Sequence, residues 1–185
     1  MRKKKTVSLA LISIMAAITC ILGPLSIVIP ISPVPISLTN LAIYLTVIIL
    51  GCKKGTISYL IYLLIGFVGL PVFSNFSSGP AKLLGPTGGY LIGFIFMAFI
   101  SGLFVDRFRG KTHMYIVGMV LGTVVTYVIG TGWLAYQIHS SFGAALSLGV
   151  FPFIPGDMIK IVIATILGTT IKKQLIKSGL LTELV

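Results

Sequence analysis

The stretch FPFIPGDMIK, residues 151–160, places an aspartate three positions before a lysine in an otherwise apolar run. Ile159, Ile161, Val162, Ile163, Ala164 and Ile166 surround the pair. If the chain is helical from Gly156 onward, positions i and i+3 share a face, so Asp157 and Lys160 can reach each other or a common ligand. A charged side chain in the middle of a membrane helix costs about 2.5–3.5 kcal/mol on insertion scales. Such residues face a bundle interior or a cavity and mark a pathway or a binding site. The plainer alternative is an internal ion pair that only packs helices together.

The rest of the chain supports a membrane setting. Of its 185 residues 56% are hydrophobic and only 9% charged, against about 25% charged in a soluble domain. Mean hydropathy is +1.10, and residues 6–52 and 112–156 hold no Asp, Glu, Lys or Arg. A net charge of +11 would suggest nucleic acid if it were spread over a soluble surface. Here twelve of the fourteen basic residues fall in four clusters at the ends of apolar segments: Arg2 to Lys5, Lys53 and Lys54, Arg107 with Arg109 and Lys111, and Lys172 with Lys173 and Lys177. That is the positive-inside pattern, which orients a chain in the bilayer. Nucleic acid is therefore not expected as a partner; the lipid bilayer is. Cys20 and Cys52 form neither a metal-ligand spacing nor a disulfide framework, and the N-terminal MRKKK with its apolar run reads as an uncleaved first span.

Read in order, the chain is an all-α integral membrane protein of six transmembrane helices, at about 6–23, 36–50, 56–70, 89–105, 115–137 and 153–171. It forms a single domain over 1–185 with both termini cytoplasmic. In the first span Ser13 and Ala17 are small residues four apart, a spacing that lets another helix approach closely. Residues 24–35, PLSIVIPISPVP, hold four prolines; no helix passes through them intact, so they form an outer loop that caps something buried. Asn40 is an amide in an apolar run, either a helix glue or a ligand contact. Residues 69–90 form a long outer segment whose one charge is Lys82, a solvated lysine or a partner for an anionic solute. Trp133 and Gln137 lie near the outer end of the fifth span, as an interfacial belt or as a wall and hydrogen-bond donor for a ring. With Asn40, Lys82, Tyr90, Asp157 and Lys160 they fall in the outer half of the bundle and converge at one depth, which describes a pocket for a small amphipathic ligand.

Catalytic readings fail on residue types. The GKT at 110–112 resembles the end of a phosphate-binding loop, but position 105 is Val where that loop needs glycine, and no strand precedes it. The chain thus has no ATPase site of its own. An aspartyl protease needs a second facing aspartate, and Asp106 sits at the cytoplasmic boundary. No serine nucleophile, metal cluster or cofactor motif is present.

GLPVF at 69–73, GPTGGYLIGF at 85–94, WLAYQ at 133–137, PGDMIK at 155–160 and VPISLTN at 34–40 together resemble the BioY family, over nearly the whole chain and in one order. That family is the biotin-specific substrate-binding subunit (S component) of energy-coupling-factor (ECF) transporters. The resemblance implies a six-helix S-component bundle in a bacterial cytoplasmic membrane, with outer loops capping a biotin pocket. It also implies a transmembrane coupling subunit (EcfT-like) and two ATPase subunits as partners, with biotin as transported ligand and no cofactor. Carried over residue by residue, Asn40, Tyr90, Gln137, Asp157 and Lys160 would line the site, with Trp133 and Lys82 added from the chemistry above. The ureido group would go to Asp157 and Asn40, and the carboxylate to Lys160 or Lys82. Ser13 stands where members often have Ala, with Ala17 following, and the pair would contact the coupling protein. Leu91 stands where some members carry arginine. An S component for another vitamin and a solitary facilitator are the competing readings.

Overall fold

The computed structural model describes residues 2–30 and 32–181; the side chains of Arg2, Lys3 and Lys4 in the first basic cluster lie outside the described residues. The element order is α1 (Arg2–Leu22), β1 (Ser26–Ile27), β2 (Ile36–Ser37), α2 (Thr39–Val68), α3 (Gly79–Leu84), α4 (Gly88–Arg107), α5 (Thr112–Gln137), α6 (Phe142–Gly149) and α7 (Ile154–Lys177). Five of these helices, α1, α2, α4, α5 and α7, are long and apolar enough to cross a membrane. α4 packs on α5 and on α2, and α2 in turn holds α1 and α7.

Where the sequence suggests separate helices over 36–50 and 56–70, the structure has one helical run, Thr39–Val68, broken at Gly51 (φ 78°, ψ −173°). The run doubles back there. A Cβ on Gly55 would lie 3.1 Å from Val47 Cα, whereas eight residues of straight helix span about 12 Å. The turn expected over 51–55 thus shrinks to one non-helical residue, and Lys53 and Lys54 are already helical. Asp106, at the end of α4, fixes the reversal by accepting the Cys52 N–H at 2.9 Å. A carboxylate suits that position, because the unpaired N–H groups of a new helix carry partial positive charge. Gly51 is required twice over: its φ is left-handed, and any Cβ would collide with the Asp106 carboxylate.

The remaining boundaries shift for local reasons. The proline-rich segment closes as a short antiparallel hairpin, Ser26 opposite Ser37 and Ile27 opposite Ile36, so α2 begins at Thr39 rather than near 36. The hairpin is tied down by Ser26, whose hydroxyl donates to Asn75 Oδ1 at 2.6 Å and accepts the Asn75 N–H at 2.9 Å. The outer segments expected as loops contain a 3-10 turn at Ser74–Phe76, α3 and α6. α7 runs past Lys172 and Lys173 to Lys177.

The main core is built on the two halves of α2: Ile43, Tyr44, Val47 and Ile48 from the first, Tyr59 and Tyr62 from the second. They pack on Met97 and Val105 of α4, Met119 of α5 and Ile161 of α7. The buried phenols of α2 are hydrogen-bonded, as an apolar interior demands: Tyr59 donates to the Leu91 carbonyl at 2.8 Å and Tyr62 to that of Val72 at 3.0 Å. At the reversal Gly102 of α4 lies so close to Cys52 that a Cβ would strike its backbone, the close approach that small residues permit between membrane helices. Leu103, Val124, Val128, Ile159 and Ile166 are exposed, which suits helices whose outer faces meet lipid.

Gly51→Ala is expected to lower stability by about 1–3 kcal/mol from the left-handed backbone alone, and by more from the Asp106 clash. Thermal unfolding of the detergent-solubilised protein checks this; Gly69→Ala, at φ 117° with open space around it, provides the comparison that carries strain without a clash.

Candidate functional site

At the end of the bundle opposite Gly51, α7 opens with Pro155 in its first turn, which suits a helix start because proline lacks the N–H that would be unpaired there. Asp157 follows in the same turn, where the helix dipole favours a carboxylate. The residue is buried, 7% exposed, and both carboxylate oxygens are engaged. Oδ1 accepts from Asn40 Nδ2 at 2.7 Å and from Lys160 Nζ at 3.1 Å. Oδ2 accepts from the Tyr127 hydroxyl at 2.6 Å. Lys160, 8% exposed, also donates to the Ser37 carbonyl at 2.7 Å.

Three helices therefore meet at one carboxylate, with Asn40 from the first turn of α2, Tyr127 from α5 and Lys160 one turn along α7, and Lys160 ties the hairpin in through the Ser37 carbonyl of β2. The arrangement satisfies a buried ion pair as such pairs require, with hydrogen bonds to the remaining lone pairs. An ammonium has three N–H donors. Two are accounted for here.

The pair borders a cavity of about 60 Å³ lined by Asn40, Tyr90, Tyr127, Asp157 and Lys160, with Val34, Pro35 and Ser74 of the outer segments as its roof. Thr87, just before α4, also lines it. Its buried hydroxyl has no hydrogen-bond partner among the described residues. Buried polar groups are normally paired, which sets Thr87 Oγ1 apart from the other polar side chains of the lining. Apolar and aromatic walls come from Leu91, Phe94, Met97 and Phe153.

The sequence-predicted residues divide accordingly. Asn40, Tyr90, Asp157 and Lys160 converge on the cavity. Tyr90 does so as an anchor, its hydroxyl donating to the Gly149 carbonyl at 3.0 Å and so fixing the end of α6. Trp133 and Gln137 do not line the cavity. Trp133 Nε1 donates to the Gly85 carbonyl at 2.9 Å, and Gln137 Nε2 to that of Leu84, so both pin the end of α3. Lys82 lies on α3, half-buried and away from the cavity lining; burial pushes its ammonium below the usual lysine range. Ser13 and Ala17 are exposed on α1, while Ile12, Met15 and Ala16 face inward. Tyr127 and Thr87 were not singled out from sequence. A tyrosine in an apolar span reads as packing, and Thr87 sits inside GPTGGY, where the glycines draw attention first.

The structure superposes on the crystal structure of the S-component for biotin from an ECF-type ABC transporter with a TM-score of 0.88, at 32% identity over 94% of each chain. The fold is thus that of an S component, a multi-pass membrane protein. The BioY family's sequence profile matches residues 1–177. Similar proteins include "Biotin transporter BioY2" of Lactococcus lactis subsp. cremoris, 37% identical over 95% of each chain. Another is "Biotin transporter BioY" of Thermotoga maritima, 40% identical over 78% of this chain and 85% of its own. The chain belongs to the BioY family.

Lys160→Met is expected to cost about 3–5 kcal/mol, because it leaves the Asp157 charge buried without its cation. The double variant D157N/K160M should recover most of that loss. Unfolding midpoints of the two variants decide; equal midpoints for wild type and K160M would show that the pair contributes nothing.

Proposed function

We propose that this chain captures biotin at the Asp157 cavity and serves as the substrate-specific subunit for its uptake. It is a transport subunit, not an enzyme. The observation that carries the site assignment is the Asp157 carboxylate, held by Asn40, Tyr127 and Lys160 against a cavity with an unpartnered Thr87 hydroxyl. The ureido ring of biotin presents two N–H donors beside one carbonyl. A carboxylate accepts the N–H groups, and a lysine or amide N–H meets the carbonyl. Charge-assisted bonds of this kind are roughly twice as strong as neutral ones.

We assign the two lysines to different ends of the ligand. Lys160 Nζ sits 3.1 Å from Asp157, so both act on the same end of the ligand, the ureido end. The carboxylate at the other end of the valerate chain then falls to Lys82, which belongs to none of the four basic clusters. Small-molecule pockets run to about 300–1,000 Å³, well above the 60 Å³ present here. The roof of hairpin and 3-10 turn therefore lifts to admit biotin and closes over it. Beneath the cavity, Tyr44, Tyr59, Met97 and Met119 are fully buried, which supports a dead-end pocket over a pore and so disfavours a solitary facilitator.

In the membrane the two halves of α2 count as separate crossings, giving six with α1, α4, α5 and α7. An even number puts both termini on one side, and the basic clusters make that side the cytoplasm. The chain lies in the bacterial cytoplasmic membrane. It works with a transmembrane coupling subunit and two ATPase subunits, which supply the energy for transport. The exposed small face of α1 at Ser13 and Ala17 is the contact for the coupling subunit.

Isothermal titration of the purified protein with biotin tests the site. Wild type should bind tightly, and Asp157→Asn should weaken binding by about ten- to a hundredfold, the value of a hydrogen bond to a charged group. Unchanged affinity in a folded D157N would remove Asp157 from the site. Lys82→Gln should weaken biotin by about tenfold yet leave biotin amide, which lacks the carboxylate, unaffected. Equal losses for both ligands would reassign the carboxylate partner.

A further inference from the structure

A second cavity, of about 510 Å³, opens at the other end of the bundle, beside Gly51. Its walls come from four places in the chain: the reversal in α2, the α4–α5 connection, the start of α5 and the last turns of α7. Lys54, Arg109, Lys172 and Lys173 all line it, against a single carboxylate among the described residues, Asp106. One oxygen of that carboxylate already holds the Cys52 N–H. None of the four cations makes an ion pair among the described residues, where Lys160–Asp157 is the one present. Lys172 lies within electrostatic reach of both Asp106 and Arg109, so the charges converge on a shared space. A row of cations that only oriented the chain in the bilayer would have no need of a cavity.

The lining specifies the ligand further. Gly110 and Thr112, from the GKT that fails as a nucleotide-binding loop, are on its wall, where α5 begins without a side-chain cap. A helix start of that kind favours negative charge. Ile49, Leu50, Ile176 and Leu181 give the lining an apolar part. Cations at a helix-end cavity whose lining is partly apolar suit a group that is anionic on one side and greasy on the other. Basic pockets between membrane helices take phospholipid headgroups by this chemistry.

We propose that this basic cavity binds a phosphate-bearing anion, supplied by an anionic phospholipid headgroup or by free phosphate. It is separate from the biotin cavity and does not depend on it. Arginine takes two phosphate oxygens side by side, and lysine adds point charges.

Native mass spectrometry of the full chain tests the proposal, with dioleoyl-phosphatidylglycerol, dioleoyl-phosphatidylcholine and inorganic phosphate as probes. One phosphatidylglycerol should be retained in preference to phosphatidylcholine. R109Q/K172Q should weaken that retention roughly thirtyfold, at the usual value of a basic side chain near an anionic lipid. R109K/K172R should restore it, and biotin binding should be unchanged in both as the check on folding. If R109Q/K172Q loses biotin binding, Lys54→Gln on the opposite wall takes its place, with about a fivefold loss expected. Displacement of the lipid by millimolar phosphate would identify free phosphate as the ligand, and its persistence would identify the headgroup; either supports the site. Equal retention of the two lipids, or phosphatidylglycerol retention that the charge-removing variants leave unchanged, would overturn it. So would binding of neither lipid nor phosphate.

Discussion

The hydrogen bonds that converge on the Asp157 carboxylate set the terms for the outer half of the molecule. A buried ion in a membrane bundle is tolerated only if it is paired and its lone pairs are satisfied. Here that condition is met by groups from α2, α5 and α7 together, and Lys160 extends the network to the backbone of the hairpin at Ser37. None of these contacts is local except the i to i+3 pair. Meeting the needs of one carboxylate thus fixes how three helices and an outer loop sit relative to one another. The same network presents charged donors and an acceptor to a cavity. A role in holding the helices together and a role in recognition are compatible here, because a ligand bearing both N–H and C=O groups can add to such a network without leaving it unpaired.

The inner half depends on a different device. Asp106 and Gly51 turn α2 back on itself within one residue, and Gly102 lets the turn approach α4 closely. Between the two ends lies a core of tyrosines, methionines and branched aliphatics with its phenols hydrogen-bonded across helices. Movement is easier in the outer roof. Ser26 and Asn75, whose contacts hold the hairpin to the 3-10 turn, lie toward the surface, whereas the helices beneath share a continuous buried core.

Much of the candidate site is legible in the sequence because charge is so scarce. Asp157, Lys160 and Asn40 stand out in apolar runs, and polar groups in such runs must point inward. Depth along a helix was also legible, but depth does not fix the direction in which a side chain faces. Trp133 and Gln137 share the expected level with the other polar groups, yet they pin the end of α3 instead of lining the cavity. Tyr127 was hidden by the opposite effect, since tyrosine is common in apolar spans. The Ser37 contact is made by a carbonyl that every residue possesses. In the fold, apolar run lengths and basic clusters located the long helices. They did not reveal the hairpin, α3 or α6, because short elements over a cavity are decided by tertiary contacts rather than by periodicity.

The most direct test of this account is an experimental structure of the protein with biotin bound. The account places the ureido N–H groups within hydrogen-bond distance of Asp157, about 2.7–3.2 Å, with the hairpin and the Ser74–Phe76 turn raised relative to the present arrangement. Biotin bound elsewhere, with the Asn40–Asp157–Lys160–Tyr127 contacts unchanged and the Asp157 cavity still closed, would make that network purely structural and contradict the central claim.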